Sequence, residues 1–327
     1  MSTLERLKHF PPVRLLYRVP WLFRPYHYLL AFAAAWWNGF PSQKMTVVGV
    51  TGTKGKTTTS NLVAQLLQYT GRKTGLATTL NFRIGEKEWV NETKQTMLGR
   101  FALQELVRQM VADNCRFAVI ETSSEGVMQF RHRFIDYDVA VFTNISPEHI
   151  ERHGNFENYR DAKLALFRQV SRKPDSVGVY NLDDQNVEYF LEIPMKHKYG
   201  FSLKTTAREE GLAKQYGVEH YHPVSDVKLA INKTSFTMAG ERFDMTLTGE
   251  FNVYNAAAAL CIAMSLGLNA RRLVRPLAVA RPVPGRFEIV NAGQPFAVVV
   301  DYAHEPGIER PSPRPSAGRC APRAGAV

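Results

Sequence analysis

The chain has 327 residues, 45% of them hydrophobic, and a formal net charge of +11. This length allows one large domain or two smaller ones, and the composition is that of a globular protein. Residues 1–44 carry +5 and residues 308–327 carry +3, so only +3 remains between them, and the charge does not indicate a nucleic-acid partner. The three cysteines lie far apart with no metal or disulfide spacing, which fits a reducing cytoplasm.

Residues 1–44 form a basic and apolar segment interrupted by prolines. The nearly uncharged stretch 26–40 is shorter than the roughly 20 apolar residues that a helix needs to cross a bilayer. No small-residue cleavage site follows it, so a signal peptide is not expected. Two interpretations remain: a helix packed on the body of the protein, or an interfacial helix that makes a peripheral membrane contact, with Trp36 and Trp37 at headgroup depth.

The next stretch, residues 45–60, organises the rest of the chain. Met45 to Val50 is apolar and rich in β-branched residues, which predicts a buried parallel strand. A glycine loop follows, and then the apolar spacing of a helix. A strand, a glycine loop and a helix in this order form a phosphate cradle. Lys56 can reach the β- and γ-phosphates and the Thr57 hydroxyl can bind Mg²⁺, although Val50 stands where the usual P-loop pattern has its first glycine. An ordinary Gly/Thr turn is the alternative.

Strands and helices alternate through the body. The pattern predicts further strands at 73–79, 117–120, 139–142 and 176–180, a hairpin at 81–90, and helices at 99–113 and 158–170. This order predicts an α/β fold, a mostly parallel sheet flanked by helices. Polar residues gather at the predicted carboxyl ends of the strands, where such sheets bind ligands: 51–58, Glu121, 144–149 and 181–184.

Residues 201–242 are less regular. Alternation at 227–236 and 243–247 predicts a hairpin, and an alanine-rich helix is predicted at 256–266. Asn252 and Asn255 precede that helix and could present amide edges to a base, but close packing explains the stretch equally well.

A candidate metal site comes from three residues. Glu121 ends a predicted strand, where Mg²⁺ on ATP needs an oxygen ligand. His149 lies beside a turn, and Lys163 follows fourteen residues later on a predicted helix. Taken one at a time, a solvated strand end, a turn histidine and a surface lysine are the ordinary explanations, and most isolated lysines are exposed.

Taken together, these stretches resemble the Mur ligases over about residues 45–307, and most closely the branch that adds the third residue of the peptidoglycan stem peptide. The matching stretches are Thr51-Gly52-Thr53-x-Gly55-Lys56-Thr57-Thr58, Glu121-x-Ser123-Ser124, Thr143-Asn144-Ile145-Ser146-x-x-His149, Tyr159-x-x-Ala162-Lys163, Gly249-x-Phe251-Asn252-x-x-Asn255, Pro284-Gly285-Arg286-Phe287-Glu288 and Val300-Asp301-Tyr302-Ala303-His304.

The resemblance implies an ATP-dependent carboxylate–amine ligase that uses Mg²⁺, forms an acyl phosphate, and adds an amino acid to a UDP-muramoyl dipeptide. The implied catalytic residues are Lys56, His149 and Lys163, the last matching a lysine that is carbamylated in the family. The implied ATP-binding residues are Gly52, Thr53, Lys54, Gly55, Lys56, Thr57, Thr58, Asn252, Asn255, Arg286 and Asp301. The implied metal ligands are Thr57, Glu121, His149 and Lys163. The implied substrate-binding residues are Thr96, Ser123 and Arg131.

The chain also departs from the family pattern. Glu125 stands where His is common, and Leu98 where a Pro is usual. Residues 1–44 do not resemble the uridine-binding domain of the family, and the pattern stops after Gly307. The expected division is an N-terminal segment (1–44), a central ATP-binding domain (45–290), the start of a C-terminal domain (291–307), and a disordered tail (308–327) that reads like a shifted frame. The missing C-terminal part is expected to impair turnover. The chain is also expected to be cytoplasmic and monomeric.

Two other functions compete with this one. The chain could be a nucleotide-binding module that does not ligate, or a ligase of the folylpolyglutamate synthase type. His149 and Lys163 at ligase spacing favour ligation, and Ser123 with Arg131 favours a muramoyl substrate. The incoming amino acid stays unassigned.

Overall fold

A computed structural model describes residues 20–147, 153–230, 233–286, 288–290 and 298–300. The chain divides into two compact units, residues 1–283 and residues 284–327. The predicted boundaries at 44, 290 and 307 stay predictions.

The helices of the first unit, in the described residues, are α1 (Pro20–Trp37), α2 (Lys56–Tyr69), α3 (Arg100–Ala112), α4 (Ser124–Met128), α5 (Phe156–Val170), α6 (Val187–Leu191), α7 (Ala207–Gln215), α8 (Glu250–Ser265) and α9 (Ala270–Ala278). Its strands are β1 (Thr46–Thr51), β2 (Thr74–Ala77), β3 (Asn81–Ile84), β4 (Lys87–Val90), β5 (Phe117–Glu121), β6 (Tyr137–Phe142), β7 (Val177–Asn181), β8 (His197–Ser202), β9 (His220–Ala230), β10 (Lys233–Met238) and β11 (Glu241–Met245).

These strands form one sheet in the order β11-β10-β9-β8-β7-β6-β1-β5-β2-β3-β4. The seven central strands pair in parallel, in the order β9-β8-β7-β6-β1-β5-β2. Antiparallel strands extend both edges, β3 and β4 at one and β10 and β11 at the other. The predicted fold class, a mostly parallel sheet with flanking helices, is confirmed.

Side-chain alternation along β1 explains why helices cover both faces of the sheet. Val48 and Val50 join the buried cluster that contains the apolar residues of α2, α8 and α9. Val47 points to the opposite cluster, built from α3 and α5 among others. Gly49 lies on this second face, and a Cβ there would come within 2.8 Å of Leu166 on α5. The missing side chain therefore lets α5 approach the strand that leads to the glycine loop.

The predicted hairpin is present, since β10 pairs antiparallel with β11, but a single first strand at 227–236 is wrong. Two antiparallel strands occupy this stretch instead, because β9 ends at Ala230 and β10 begins at Lys233. The alternating pattern continues across the reversal, so the pattern alone did not show it. Helix α7 and strand β8 were not predicted, yet Thr206 and Glu209 form a capping box at the start of α7. That Thr-x-x-Glu spacing was the available signal.

The alanine-rich helix was placed too late. Helix α8 begins at Glu250, not at residue 256, directly after Gly249, which has a φ of 99°. An acidic residue in the first turn suits the positive end of a helix. Asn252 and Asn255 therefore lie inside the first two turns of α8. The other predicted elements of the body differ from the observed ones by a few residues at their ends.

Helix α1 is packed on the body, as in the first interpretation of residues 1–44. Ala31, Ala34 and Ala35 are buried, and α1 contacts α3. Tyr28 and Phe32 contact the ring of Phe134 edge-on, with ring centroids 5.1 and 5.4 Å apart. Within the described residues, no helix is both long and apolar enough to span a bilayer.

In the second unit, β12 (Glu288–Val290) pairs antiparallel with β13 (Val298–Val300).

Candidate active site

The glycine loop between β1 and α2 depends on two close backbone approaches. Gly52 has a φ of +153°, and a Cβ there would lie 1.9 Å from Thr143 Oγ1. Gly55 has a φ of +80°, and a Cβ there would lie 2.2 Å from Asn255 Oδ1. Both positions require glycine because no side chain fits and because L-residues avoid these backbone angles.

The end of β6 holds the loop in place. The backbone amide of Thr53 donates to the Asn144 carbonyl at 2.9 Å, and the amide of Lys54 donates to Asn144 Oδ1 at 2.9 Å. In return, Thr143 Oγ1 donates to the Lys54 carbonyl at 2.8 Å. The predicted polar strand end therefore lies beside the loop and fixes its shape.

Lys56 and Thr57 open α2 at the end of the loop. Lys56 Nζ donates to the Thr53 carbonyl at 2.8 Å, so its ammonium group curls back over the loop. Thr57 Oγ1 donates to Glu121 Oε2 at 2.9 Å. The Thr79 amide and hydroxyl also donate to the Glu121 carboxylate, at 3.0 and 3.1 Å. A buried carboxylate beside a hydroxyl is an oxygen pair of the kind that Mg²⁺ prefers, so these residues fit the ion.

Lys163 is buried, with 2% of its surface exposed, so its interpretation as a surface lysine is wrong. It projects from α5, whose first turn is capped by the side chain of Asn155. Lys163 Nζ donates to the Gly52 carbonyl at 2.6 Å and lies 4.3 Å from the centroid of the Tyr159 ring. Tyr159 Oη in turn lies 3.0 Å from Thr53 Oγ1. Burying an ammonium group is costly, so its place beside the glycine loop indicates a role there.

Lys56 and Lys163 line one cleft of about 440 Å³, together with the predicted substrate residues Thr96, Ser123 and Arg131. The structure therefore brings the glycine loop and the predicted substrate residues together. They come from four separate stretches of the chain, and all lie at the carboxyl end of the parallel sheet, where the sequence predicted a ligand site.

The wall of the cleft opposite the loop is held by Arg131. Its guanidinium group donates to the Met97 carbonyl, to Gln95 Oε1 at 3.0 Å and to Gln129 Oε1 at 2.8 Å. Burial lowers the pKa of Arg131, and the nearby carboxylate of Glu125 opposes that shift. Arginine still carries its charge after such a shift. The cleft therefore has a fixed cation on this wall.

Ser123 and Thr96 present hydroxyls on the same wall. Ser123 caps α4, since its Oγ accepts from the Gly126 amide at 3.1 Å. Thr96 Oγ1 lies 3.1 Å from Thr79 Oγ1, the group that also contacts Glu121. The Glu121 carboxylate is thus linked to this wall of the cleft through Thr79 and Thr96.

The amides of Asn252 and Asn255 lie behind the glycine loop and are buried. Asn255 Oδ1 accepts from Thr59 Oγ1 at 3.3 Å, and its Nδ2 donates to Asn252 Oδ1 at 3.1 Å. Asn252 Nδ2 donates to the Thr248 carbonyl at 2.8 Å. These contacts pack α8 against α2, and they account for both residues without a base.

Several predicted site residues remain apart from this geometry. His149 and Asp301 lie outside the described residues, and Arg286 belongs to the second unit. The parts of the chain with described positions contain no cluster of three His, Cys, Asp or Glu side chains that could hold a metal. The candidate set there consists of the Thr57 hydroxyl, the Glu121 carboxylate and Lys163.

Thr79 and Tyr159 are site residues to which the sequence analysis gave no role. Thr79 lies two residues after the end of β2, so the rule that ligands gather at strand ends could have identified it. The polar residues that follow β7 have a structural role instead. Asp183 accepts hydrogen bonds from Ser202 Oγ at 2.6 Å and from Tyr254 Oη at 2.7 Å. Asp184 accepts from the Ile145 amide at 2.8 Å, and burial raises its pKa.

Comparison with known proteins places this chain in a family. Residues 50–263 match the model of the Mur ligase middle domain. The chain is 34% identical over 289 residues to the UDP-N-acetylmuramoyl-L-alanyl-D-glutamate–2,6-diaminopimelate ligase of Geobacillus kaustophilus, which covers 85% of this chain and 55% of that protein. It is 37% identical over 299 residues to the UDP-N-acetylmuramyl-tripeptide synthetase of Roseiflexus sp., with the same coverage of each.

The chain also resembles solved structures. The structure of a UDP-N-acetylmuramoyl-L-alanyl-D-glutamate–2,6-diaminopimelate ligase has a TM-score of 0.66 at 27% identity and covers 80% of this chain and 51% of that one. The fold is also that of MurF from Acinetobacter baumannii, with a TM-score of 0.64 at 18% identity, covering 83% of this chain and 54% of that one. The chain spans about half the length of the curated relatives that it matches. The chain belongs to the Mur ligase family.

Proposed function

We propose that this chain carries the ATP-binding and carboxylate-activating part of a ligase that adds an amino acid to a UDP-muramoyl dipeptide in peptidoglycan synthesis. The observation that carries the proposal is the shared cleft. Lys163 Nζ and Lys56 flank the glycine loop on one side, and Ser123 and Arg131 lie across from them. The names of the relatives state the same substrate class for those proteins.

The reaction has two steps. A carboxylate oxygen of the dipeptide attacks the γ-phosphorus of ATP, the bond to the bridging oxygen breaks, and ADP leaves with its electron pair. The amine of the amino acid then attacks the acyl carbon, inorganic phosphate leaves, and the amine loses a proton as the amide forms. Lys56 and the amides of the glycine loop stabilise the charge that develops on the transferred phosphoryl group.

Mg²⁺ bound to ATP would neutralise phosphate charge and orient the transferred group. Thr57 and Glu121 would hold one such ion, because their oxygens already lie 2.9 Å apart beside the loop. By resemblance, His149 would hold a second ion. Gly52, Thr53, Lys54, Gly55 and Thr58 would complete the phosphate site.

Lys163 would act as a carbamate, as its resemblance to the family implies. Reaction of the neutral amine with CO₂ forms an N–C bond and releases one proton. The carbamate keeps one N–H, which can still donate to the Gly52 carbonyl, while its two oxygens give the cleft an anionic metal ligand. A ¹³C NMR signal from labelled bicarbonate that disappears in Lys163→Gln would test this assignment.

Arg131 would bind a carboxylate of the dipeptide, with Ser123 and Thr96 as further hydrogen-bonding groups. Asn252 and Asn255 would lie near adenine, and Arg286 and Asp301 would contribute to ATP binding. A monomeric state belongs to the same proposal, and so does a cytoplasmic location, which rests on the separated cysteines.

Positional isotope exchange tests the first step without the amino acid. ATP labelled with ¹⁸O in the β,γ-bridge should scramble its label in the presence of Mg²⁺ and the UDP-muramoyl dipeptide, because reversible acyl-phosphate formation frees the β-phosphate to rotate. Arg131→Ala should abolish scrambling and leave ATP binding intact. ATP binding with no scrambling at saturating dipeptide would instead identify a nucleotide-binding module that does not ligate.

A further inference from the structure

The outer face of α1 is apolar. Leu29, Trp36 and Trp37 expose 64%, 65% and 77% of their surface, and Tyr28 and Phe32 expose 44% each. Tyr28, Phe32 and Trp36 recur at a spacing of four residues with Leu29 beside them, so these exposed side chains form a continuous stripe, and Trp37 widens it at the C-terminal end of the helix. The buried stripe of the same helix consists mainly of alanines. The bulky apolar side chains thus point away from the core and the small ones point into it.

This arrangement is unusual for a helix on the surface of a globular protein. Helix α9 has the ordinary one, with Leu273 and Leu277 buried and Arg271 and Arg275 exposed. Between residues 26 and 37, α1 carries no Lys, Arg, Asp or Glu. A contiguous exposed apolar face of this kind marks a surface that binds something.

A cluster of arginines lies at the N-terminal end of the stripe. The guanidinium carbons of Arg24 and Arg133 lie 5.9 and 6.0 Å from the centroid of the Phe130 ring, on the segment that packs against α1. Burial, and then the positive charges of Arg172 and Arg24, lower the pKa of Arg133. Within the described residues, none of the three arginines forms an ion pair with a carboxylate. The cluster is therefore free to bind anions from outside the chain.

The apolar stripe and the arginines are adjacent. Arg24, Tyr28, Leu29 and Phe130 line one shallow recess of about 380 Å³. Tyr28 also contacts Phe130 edge-on, with ring centroids 6.1 Å apart. Residues 1–19 add four more Lys or Arg against one acid, so the sequence on this side of α1 is basic as well. Aromatic residues next to a basic group suit an interface between water and anionic lipid.

We propose that α1 binds the surface of an anionic lipid bilayer. Its stripe of Tyr28, Leu29, Phe32, Trp36 and Trp37 enters the boundary between headgroups and acyl chains, and Arg24, Arg133 and Arg172 bind lipid phosphates. The helix lies along the membrane surface and does not cross it. This surface is separate from the ligand cleft, so the proposal goes beyond the ligase function and does not depend on it.

Flotation of the full-length chain with lipid vesicles tests the proposal. Vesicles of phosphatidylcholine with about 30% phosphatidylglycerol should carry the protein upward, and vesicles of phosphatidylcholine alone should carry little. Binding should weaken as salt rises, because screening weakens the attraction between arginine and phosphate.

Paired variants separate the apolar and the charged contributions to vesicle binding. Leu29→Gln with Trp36→Gln should weaken binding at least tenfold, since both side chains are more than half exposed and the change removes apolar surface without disturbing the core. The control is Tyr69→Gln with Val279→Gln, which removes exposed apolar residues elsewhere and should keep wild-type binding.

Arg133→Gln with Arg172→Gln should weaken binding to anionic vesicles about 25-fold, from roughly fivefold for each arginine. Arg271→Gln with Arg275→Gln removes the same charge from α9 and should change binding less than twofold.

Three results would overturn the proposal. The first is an equal loss of binding in the test and control pairs, and the second is no flotation of the wild-type chain with anionic vesicles. The third is a wild-type dimer in light scattering that becomes a monomer in the Leu29→Gln, Trp36→Gln variant without any vesicle binding, which would assign the stripe to a second copy of the chain.

Discussion

The glycine loop and the α1 surface use their side chains in opposite ways. In the loop, Thr53, Lys54 and Thr57 each have hydrogen-bond partners in another part of the chain, and the buried Lys163 contacts a loop carbonyl. At α1, bulky apolar groups face outward, and Arg24, Arg133 and Arg172 form no ion pair with a carboxylate of the described residues. The loop is therefore ordered by the protein itself and ready for a ligand. The α1 surface, in contrast, leaves apolar and positively charged groups exposed.

The His132 ring belongs to the α1 side of this comparison. It is 2% exposed, and neither of its nitrogens has a hydrogen-bond partner in the part of the chain that the structure describes. A buried polar group without partners destabilises the folded state, whereas the polar groups of the loop are satisfied. The difference between the two regions can be measured by substitutions that act on close approach, charge and hydrogen bonding.

The largest effect is expected for Gly52→Ala. The new Cβ would lie 1.9 Å from Thr143 Oγ1 and 3.0 Å from the Asn144 carbonyl, and the backbone angle is unfavourable as well. We expect the free energy of unfolding to fall by about 3 to 4 kcal/mol in urea denaturation. Gly217→Ala is the control, because its φ is also positive but nothing lies within 4 Å of the added Cβ. Its cost should be about 1 kcal/mol. Equal losses would show that the loop is not tightly held.

Next is Lys56→Ala. We expect the dissociation constant for MgATP to rise about 100-fold, near 2.7 kcal/mol, because a charge-assisted contact with phosphate is removed. Isothermal titration calorimetry measures it, with the exposed Lys87→Ala of β4 as the control for lost positive charge. A rise of less than threefold in Lys56→Ala would contradict the assignment of the loop as a phosphate site.

The third prediction concerns the pH dependence of the free energy of unfolding, tested by His132→Phe. Burial lowers the pKa of His132 to about 3, from an ordinary value of 6.5. As pH falls below 6.5, the unfolded chain takes up a proton that the folded chain does not bind, so stability is lost. At pH 5 this loss amounts to about 2 kcal/mol for this residue. We expect His132→Phe to remove that part of the loss between pH 7.5 and 5 in urea denaturation.

Tyr180→Phe is the control for this experiment, because burial raises the pKa of this buried phenol and it therefore does not titrate between pH 7.5 and 5. It should keep the wild-type pH dependence. An unchanged pH dependence in His132→Phe would mean that the ring gains a proton in the folded protein.

The smallest effect is expected for Thr79→Val. This change removes the hydroxyl that donates to Glu121 Oε1 at 3.1 Å but keeps the backbone donor to Oε2. We expect a loss of about 1 kcal/mol in the free energy of unfolding. Thr93→Val removes an exposed hydroxyl bonded to Asn91 and should cost less than half of that. If both variants lose the same amount, the Glu121 network is not specially stabilised.

The sequence predicted what depends on neighbouring residues. The apolar run before Gly52, the two glycines and the helical spacing after Lys56 indicated a strand, a phosphate loop and a helix, because each follows from local backbone preferences. The same reasoning failed at 227–236, where alternation continued through a strand reversal, and at the start of α8. Strand ends also predicted that Glu121 lies near the glycine loop, and its carboxylate is 2.9 Å from Thr57 Oγ1, since parallel strands place their carboxyl ends at one edge of the sheet. Its role as a metal ligand stays a prediction.

Only the tertiary structure decided which way side chains face and which distant groups meet. Periodicity shows that α1 has an apolar face, but both of its faces are apolar, so only packing against α3 decided that the alanines turn inward. Lys163 and Gly52 are 111 residues apart, and their contact exists because β1 and β6 pair in parallel and α5 crosses over them. A sequence gives the local preference of each segment, but the sum of contacts between segments selects one arrangement.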